Sequence, residues 1–185
     1  MTTKAKANRG PSAGPANRRA LLAAAREVFA ADGFSAPLSA VARRAGVGQG
    51  SLYRHFPDRT ALAIALFDEN IEALEASAAR PESTLDDLLS LVIEQALAST
   101  ALIDLVTTDT HDPRAAHLVE RLTGVVAQLL AREQAAGRIG EQVAIADVLL
   151  AVSMLAGVLA RTDVADRPEV AGRAWGLFHA AFVPR

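Results

Sequence analysis

Cysteine is absent from the 185 residues, which excludes a disulfide framework and any thiolate metal site. The four histidines, His55, His111, His117 and His179, are scattered along the chain, so zinc is not expected. Aromatic residues make up only 4%. The apolar half of the composition is therefore mostly Ala, Leu and Val, and Gly and Pro cluster at intervals instead of spreading evenly. That balance favours helices over strands, and the expected fold is all-α. No apolar run reaches the roughly 18 to 20 residues that span a bilayer. Residues 1–19 are basic and polar without the apolar stretch of a signal peptide. A soluble, cytoplasmic protein with no membrane contact is expected.

Acidic side chains are also scarce, but only at one end. Residues 1–59 hold ten Lys or Arg against three acids, a charge of +7, while the remaining 126 residues carry −9. The first part suits a polyanion and the second does not. Five of the ten cations lie beyond Arg19, inside the part expected to fold.

Residues 1–16, rich in Ala, Gly, Pro and Lys, read as a disordered basic arm. From Asn17, the residues Leu21, Leu22, Ala25, Val28 and Phe29 recur at helical spacing until Gly33. A short helix is expected over Leu38 to Ala45, ended by Gly46, and another over Gln49 to Phe56, ended by Pro57. A longer one runs from Arg59 to about Ala79, with Asp58 as its cap, Leu62, Leu66, Ile71 and Leu74 inward, and Asp68, Glu69, Glu72 and Glu75 outward. Ser83 with Asp86 resembles a capping box, and apolar positions continue from Leu85 to about Thr108. After a break at His111-Asp112-Pro113, helices are expected at Arg114 to Ala136, closed by Gly137, at Val143 to Ala160, and at Pro168 to Phe182. No internal repeat is found.

Two short helices joined by Gly46-Val47, with Val41, Ala45, Val47, Leu52 and Phe56 at the positions that bury their shared face, form a helix-turn-helix pattern over about 37–56. The stretch SAVARRAGVGQGSLYRHFPDRTAL resembles the DNA-binding signature of the TetR family of transcriptional regulators. The match reaches back through LLAAAREVFAADGFSA and covers about Asn17 to Phe67. It rests on the Ala-Gly-Val turn, the Leu-Tyr-x-His-Phe helix and a basic residue three places after the Phe, in that order. The resemblance implies a DNA-binding domain over 17–78 and a larger ligand-binding and dimerisation domain over 79–185.

The chemistry of these residues points the same way. A recognition helix lies in the major groove with its N-terminal residues at base edges, which places Gly48, Gln49, Gly50 and Ser51 for readout. Gln49 can make a bidentate contact to adenine. Gly50 allows close approach of backbone to phosphate, and Ser51 can donate to phosphate or base. Tyr53 and His55 resemble the family's phosphate-contacting pair. Arg54 can reach base or backbone, and Ser39 at the start of the preceding helix can reach backbone. Arg59 stands where the family usually has Lys, and is expected to clamp phosphate with different geometry. Pro37 stands where Thr is frequent, which removes one hydroxyl contact. Taken singly, Tyr53 reads equally well as a packed aromatic and His55 as a solvated polar residue; their joint spacing on a basic module favours DNA.

The C-terminal part resembles the family only in layout. That layout implies a homodimer built from the last two helices of each protomer, with Leu149, Val152, Leu155, Leu159, Trp175 and Phe178 as interface candidates; each reads equally well as core. A pocket for a small-molecule effector is expected between the fourth helix and those after it, lined by Phe67, Ile71, Leu91, Gln95, Leu102, Arg121 and Met154. His111, Asp112 and His117 make no metal or catalytic site, since Pro113 breaks the helix between the two histidines. No cofactor and no enzymatic activity are expected. The expected function is sequence-specific regulation of transcription from a palindromic double-stranded DNA operator, by a repressor that its ligand releases. A ligand-controlled activator, or a module that binds DNA without sequence preference or binds other proteins, is the alternative.

Overall fold

Leu21, Leu22, Ala25, Val28 and Phe29 form the inner face of α1 (Gly14–Asp32), the first element of a computed structural model that describes residues 14–98, 114 and 116–184. Among the described residues there are eight helices and no strand. After α1 come α2 (Leu38–Arg44), α3 (Gln49–His55), α4 (Arg59–Ala78), α5 (Leu85–Ala98), α6 (Ala116–Ala135), α7 (Ile145–Ala160) and α8 (Arg167–Phe182). No helix of the described residues is long and apolar enough to cross a membrane. The break expected at 111–113 and the apolar positions from 99 to 108 lie outside the described residues.

Two local expectations need correction. The arm expected over 1–16 is helical from Gly14; Pro15 sits in the first turn, where its missing N–H has no intrahelical acceptor to lose. The capping box lies one residue later than Ser83 and Asp86. The Thr84 amide donates to Asp87 Oδ2 at 2.9 Å and the Asp87 amide donates to Thr84 Oγ1 at 3.1 Å. Thr84 thereby holds the Asp87 carboxyl below the usual carboxylate range. The run Ser-Thr-Leu-Asp-Asp permits either register. Burial decides between them, because Ser83 is only 2% exposed and its Oγ donates to the Ser77 carbonyl at 2.6 Å.

The apolar residues sort into separate cores. Leu21, Leu22, Phe29, Val41, Leu52, Phe56, Leu62 and Leu66 unite α1 to α3 and the first half of α4 in a small head. Leu74, Ala78, Leu88, Leu89, Val126, Leu129 and Val148 unite the second half of α4 with α5, α6 and α7. Thus α4 is one continuous rod, about 30 Å long, set in the head at one end and in the C-terminal body at the other. The change of core falls inside α4, between Phe67 and Leu74, not at its end.

Between α2 and α3 the chain turns on Gly46, whose φ is 65°. The Gly46 amide donates to the Arg43 carbonyl at 3.2 Å and the Val47 amide to the Ala42 carbonyl at 3.0 Å, the paired bonds of a Schellman cap. A side chain at that φ is strained. Gly46→Ala is expected to destabilise the protein by about 1–2 kcal/mol, read as a lower urea midpoint at unchanged slope.

Candidate nucleic-acid interface

Leu52 and Phe56, 1% and 2% exposed, pin α3 to the head. At 100° per residue Gly50 and Arg54 then point away from the core and Tyr53 lies to the side, while Gln49, on the Leu52 side, is the first residue of the helix. All four are exposed, Tyr53 to 51%. Ser51 and His55 flank them, half-buried, and Gly48 is the N-cap of the helix. Seven of the nine residues singled out in the sequence thus meet on one short helix. Ser39 is exposed in the first turn of α2.

Gly50 is informative for what does not hold it. Its φ is not positive, and a Cβ built on it would meet nothing within 4 Å. Neither backbone strain nor packing within the protein demands glycine here, although glycine weakens a helix.

Arg59 is turned another way. Its guanidinium donates to the Phe34 carbonyl and, at 3.4 Å, to the Ser35 carbonyl. It also lies 5.3 Å from the Phe34 ring centroid and 5.9 Å from that of Phe29. The first turn of α4 is therefore tied to the α1–α2 link. Beside it, Asp58 caps α4 by accepting from the Ala61 amide at 2.7 Å, and pairs with Arg114 at 3.0 Å.

Sequence reasoning missed two cations near α3. Arg18 stands over the Phe56 ring at 5.4 Å, and its place one helical turn before Leu22 was the available signal. Arg44, at the end of α2, pairs with Glu27 of α1.

The residues proposed for an effector pocket sit in several settings among the described residues. Phe67 packs on the head and Leu91 on the body. Ile71 is buried, and Gln95 donates to the Asn70 carbonyl at 3.3 Å. Met154 is 54% exposed, because it lies on the side of α7 turned away from the core. Leu102 lies outside the described residues. Arg121 joins α6 to α4: it donates to both Glu75 oxygens, at 2.8 and 2.7 Å, and to Asp68. Its hydrogen bonds hold the Glu75 carboxyl below the usual range, and Glu75 in turn raises the arginine.

Of the interface candidates, Leu155 and Leu159 are 1% and 0% exposed. Both are buried within the protomer. Leu149, Val152, Trp175 and Phe178 are partly buried against the protomer's own body. The outward apolar positions are instead Leu150, Met154 and Val158 on α7, together with Leu177 on α8. His117 Nε2 lies 3.7 Å from Asp68, and no group of three potential ligands that could hold a metal occurs among the described residues. His111 and Asp112 lie outside them.

Comparison with known proteins agrees with the architecture. Residues 21–66 match the family of bacterial regulatory proteins described as the tetR family. The HTH-type transcriptional regulator UidR of Escherichia coli K12 is 27% identical over 177 residues, covering 86% of this chain and 88% of its own length. A TetR transcriptional regulator from Streptomyces coelicolor superposes with a TM-score of 0.66 at 27% identity, covering 90% of this chain and 98% of that one. A TetR regulatory protein from Mycobacterium vanbaalenii gives 0.60 at 28% identity, covering 81% and 96%. With the helix-turn-helix head, the cationic N-terminal part and these likenesses together, the chain carries a TetR-type DNA-binding domain over residues 21–66, is similar over most of its length to TetR regulators, and is a sequence-specific DNA-binding transcriptional regulator.

Proposed function

We propose that two copies of this chain form a repressor that grips a palindromic operator with their paired α3 helices and lets go when a small molecule binds in the C-terminal body. The observation that carries the DNA contact is the outward face of α3. Gly50, Tyr53 and Arg54 are exposed there, Gln49 is exposed at the start of the helix, and none of the four belongs to the core. Gln49 reads a base edge, Tyr53, Arg54 and His55 hold phosphates or bases, and Gly50 leaves room for the sugar-phosphate backbone. Ser39 and Arg18 extend the contact along the same strand.

Pairing rests on α7 and α8. Leu150, Met154 and Val158 recur every fourth residue on one exposed face of α7. Gly172 and Gly176 are exposed on α8, where an added Cβ would meet nothing within 4 Å. Mid-helix glycines weaken a helix, and their place here suits close approach of a partner helix. Two heads spaced roughly 34 Å apart read two half-sites on one face of the duplex.

Release follows from α4. Its first turn is tied to the head through Arg59, and its far half to α6 through Arg121. A tilt of the rod therefore moves the head as a unit. A ligand that prefers the tilted state lowers operator affinity by the ratio of its affinities for the two states.

Two measurements test this reading. Selection from a random duplex library should return a palindrome that scrambled competitor fails to displace at near-physiological salt; retention of arbitrary sequence would leave only non-specific binding. Gly50→Ala should raise helix stability by about 0.5–1 kcal/mol while weakening operator binding at least about tenfold in a gel shift. A variant that binds as tightly as the parent would remove close backbone approach from the argument.

A further inference from the structure

The far end of α4 leads into a part of the body that the DNA-binding reading does not use. There the start of α5, the end of α6 and the last turns of α8 enclose a cleft of about 240 Å³. Ile139 and Phe182, 9% and 8% exposed, supply its apolar lining, and Trp175 and His179 stand over it with ring centroids 5.8 Å apart at 65°. Two carboxylates line it as well, Glu133 and Asp86.

The two carboxylates differ in what neutralises them. Glu133 is 5% exposed and receives both Arg138 donors, Nε at 2.9 Å and Nη2 at 2.7 Å. Gly137, at φ 69°, brings the chain back so that Arg138 meets Glu133 five residues earlier. That pair cancels. Asp86 has no such arginine or lysine partner among the described residues; the His179 Nδ1 lies 3.8 Å from its Oδ1, beyond hydrogen-bond range. Asp86 thus brings to a cleft also lined by Trp175 a carboxylate that no arginine or lysine neutralises.

We infer that this cleft binds a small organic cation, with the ammonium between the Asp86 carboxylate and the Trp175 ring and the apolar part against Ile139 and Phe182. An aromatic face attracts a cation through its quadrupole, and the carboxylate adds a charge-assisted hydrogen bond. An anion would face the unbalanced carboxylate. A bare metal ion would lack ligands, since Asp86, Glu133 and His179 do not form a group that could hold one. The volume is below that of a drug-sized site, roughly 300–1,000 Å³, and suits a ligand of about one ring.

Trp175 is the only tryptophan in the chain, so intrinsic fluorescence reports on this cleft directly. Titrating the full-length protein with phenethylammonium should give a saturable change in Trp175 emission. The neutral 2-phenylethanol and the anionic phenylacetate should bind at least about tenfold more weakly. Asp86→Asn should abolish the preference for the cation at an unchanged thermal midpoint, and Asp86→Glu should retain it. Absence of a saturable signal, equal binding of the three probes, or a preference that survives Asp86→Asn would each overturn the assignment. No DNA enters the measurement, so its outcome is separate from that of the operator reading.

Discussion

A protein carrying Leu150→Asp and Met154→Asp together is expected to sediment as a folded monomer and to lose at least about a hundredfold in operator affinity. Leu150 is 58% and Met154 54% exposed in the protomer, so neither substitution opens a cavity in a core, and helical circular dichroism should be retained. In a symmetric pair the two aspartates would meet their own copies across the interface. Four carboxylates would then share a dehydrated surface without partners, which opposes association strongly. A monomer places one head on one half-site and forfeits the effective concentration that tethers the second. Sedimentation velocity gives the mass and a gel shift gives the affinity. A variant that stays dimeric would move the interface away from the outward face of α7. Leu155→Asp makes the contrast, because that side chain is 1% exposed and its replacement should unfold the body instead of splitting a dimer.

The second large effect concerns Arg59. A residue that clamps phosphate and a residue that ties α4 to the head respond differently to the same two substitutions. As a clamp, Arg59→Lys would keep the charge and much of the binding, and Arg59→Ala would reduce the slope of log K against log salt by about 0.9. As a tie, its worth lies in the fork that reaches two carbonyls and in stacking on Phe34, which lysine cannot reproduce. We expect the second pattern. Both substitutions should lower stability by about 1.5–3 kcal/mol, the range for hydrogen bonds that involve a charged group. Operator affinity should fall through a loosened head, and the salt slope should stay where it was. A salt slope reduced in Arg59→Ala and preserved in Arg59→Lys would return Arg59 to the phosphate.

The head was legible because its signals are local. Gly46 is needed by a link four residues long, Pro57 follows directly on the C-cap of α3, and Asp58 caps the helix that begins next to it. Burial of Leu52 and Phe56 follows from their spacing, and the exposed face of α3 follows from theirs. The body was less legible. In α7 apolar residues occur almost all round the helix, so a 3.6-residue period cannot tell Leu155 and Leu159, which face the protomer, from Leu150, Met154 and Val158, which do not. The capping box at Thr84 shows the same limit on a smaller scale: two registers were chemically equal until burial of Ser83 separated them.

By itself the sequence determined the all-helical class, the order of the helices and the residues gathered on α3, since each of these depends on neighbours within a turn or two of the chain. Only the tertiary structure decided that Arg59 bends to carbonyls 24 and 25 residues earlier, that α4 belongs to two cores, and that Asp86, Trp175 and His179 line one cleft. Those contacts join residues far apart in sequence, and their partners are selected by packing of whole helices, for which spacing along the chain carries no signal.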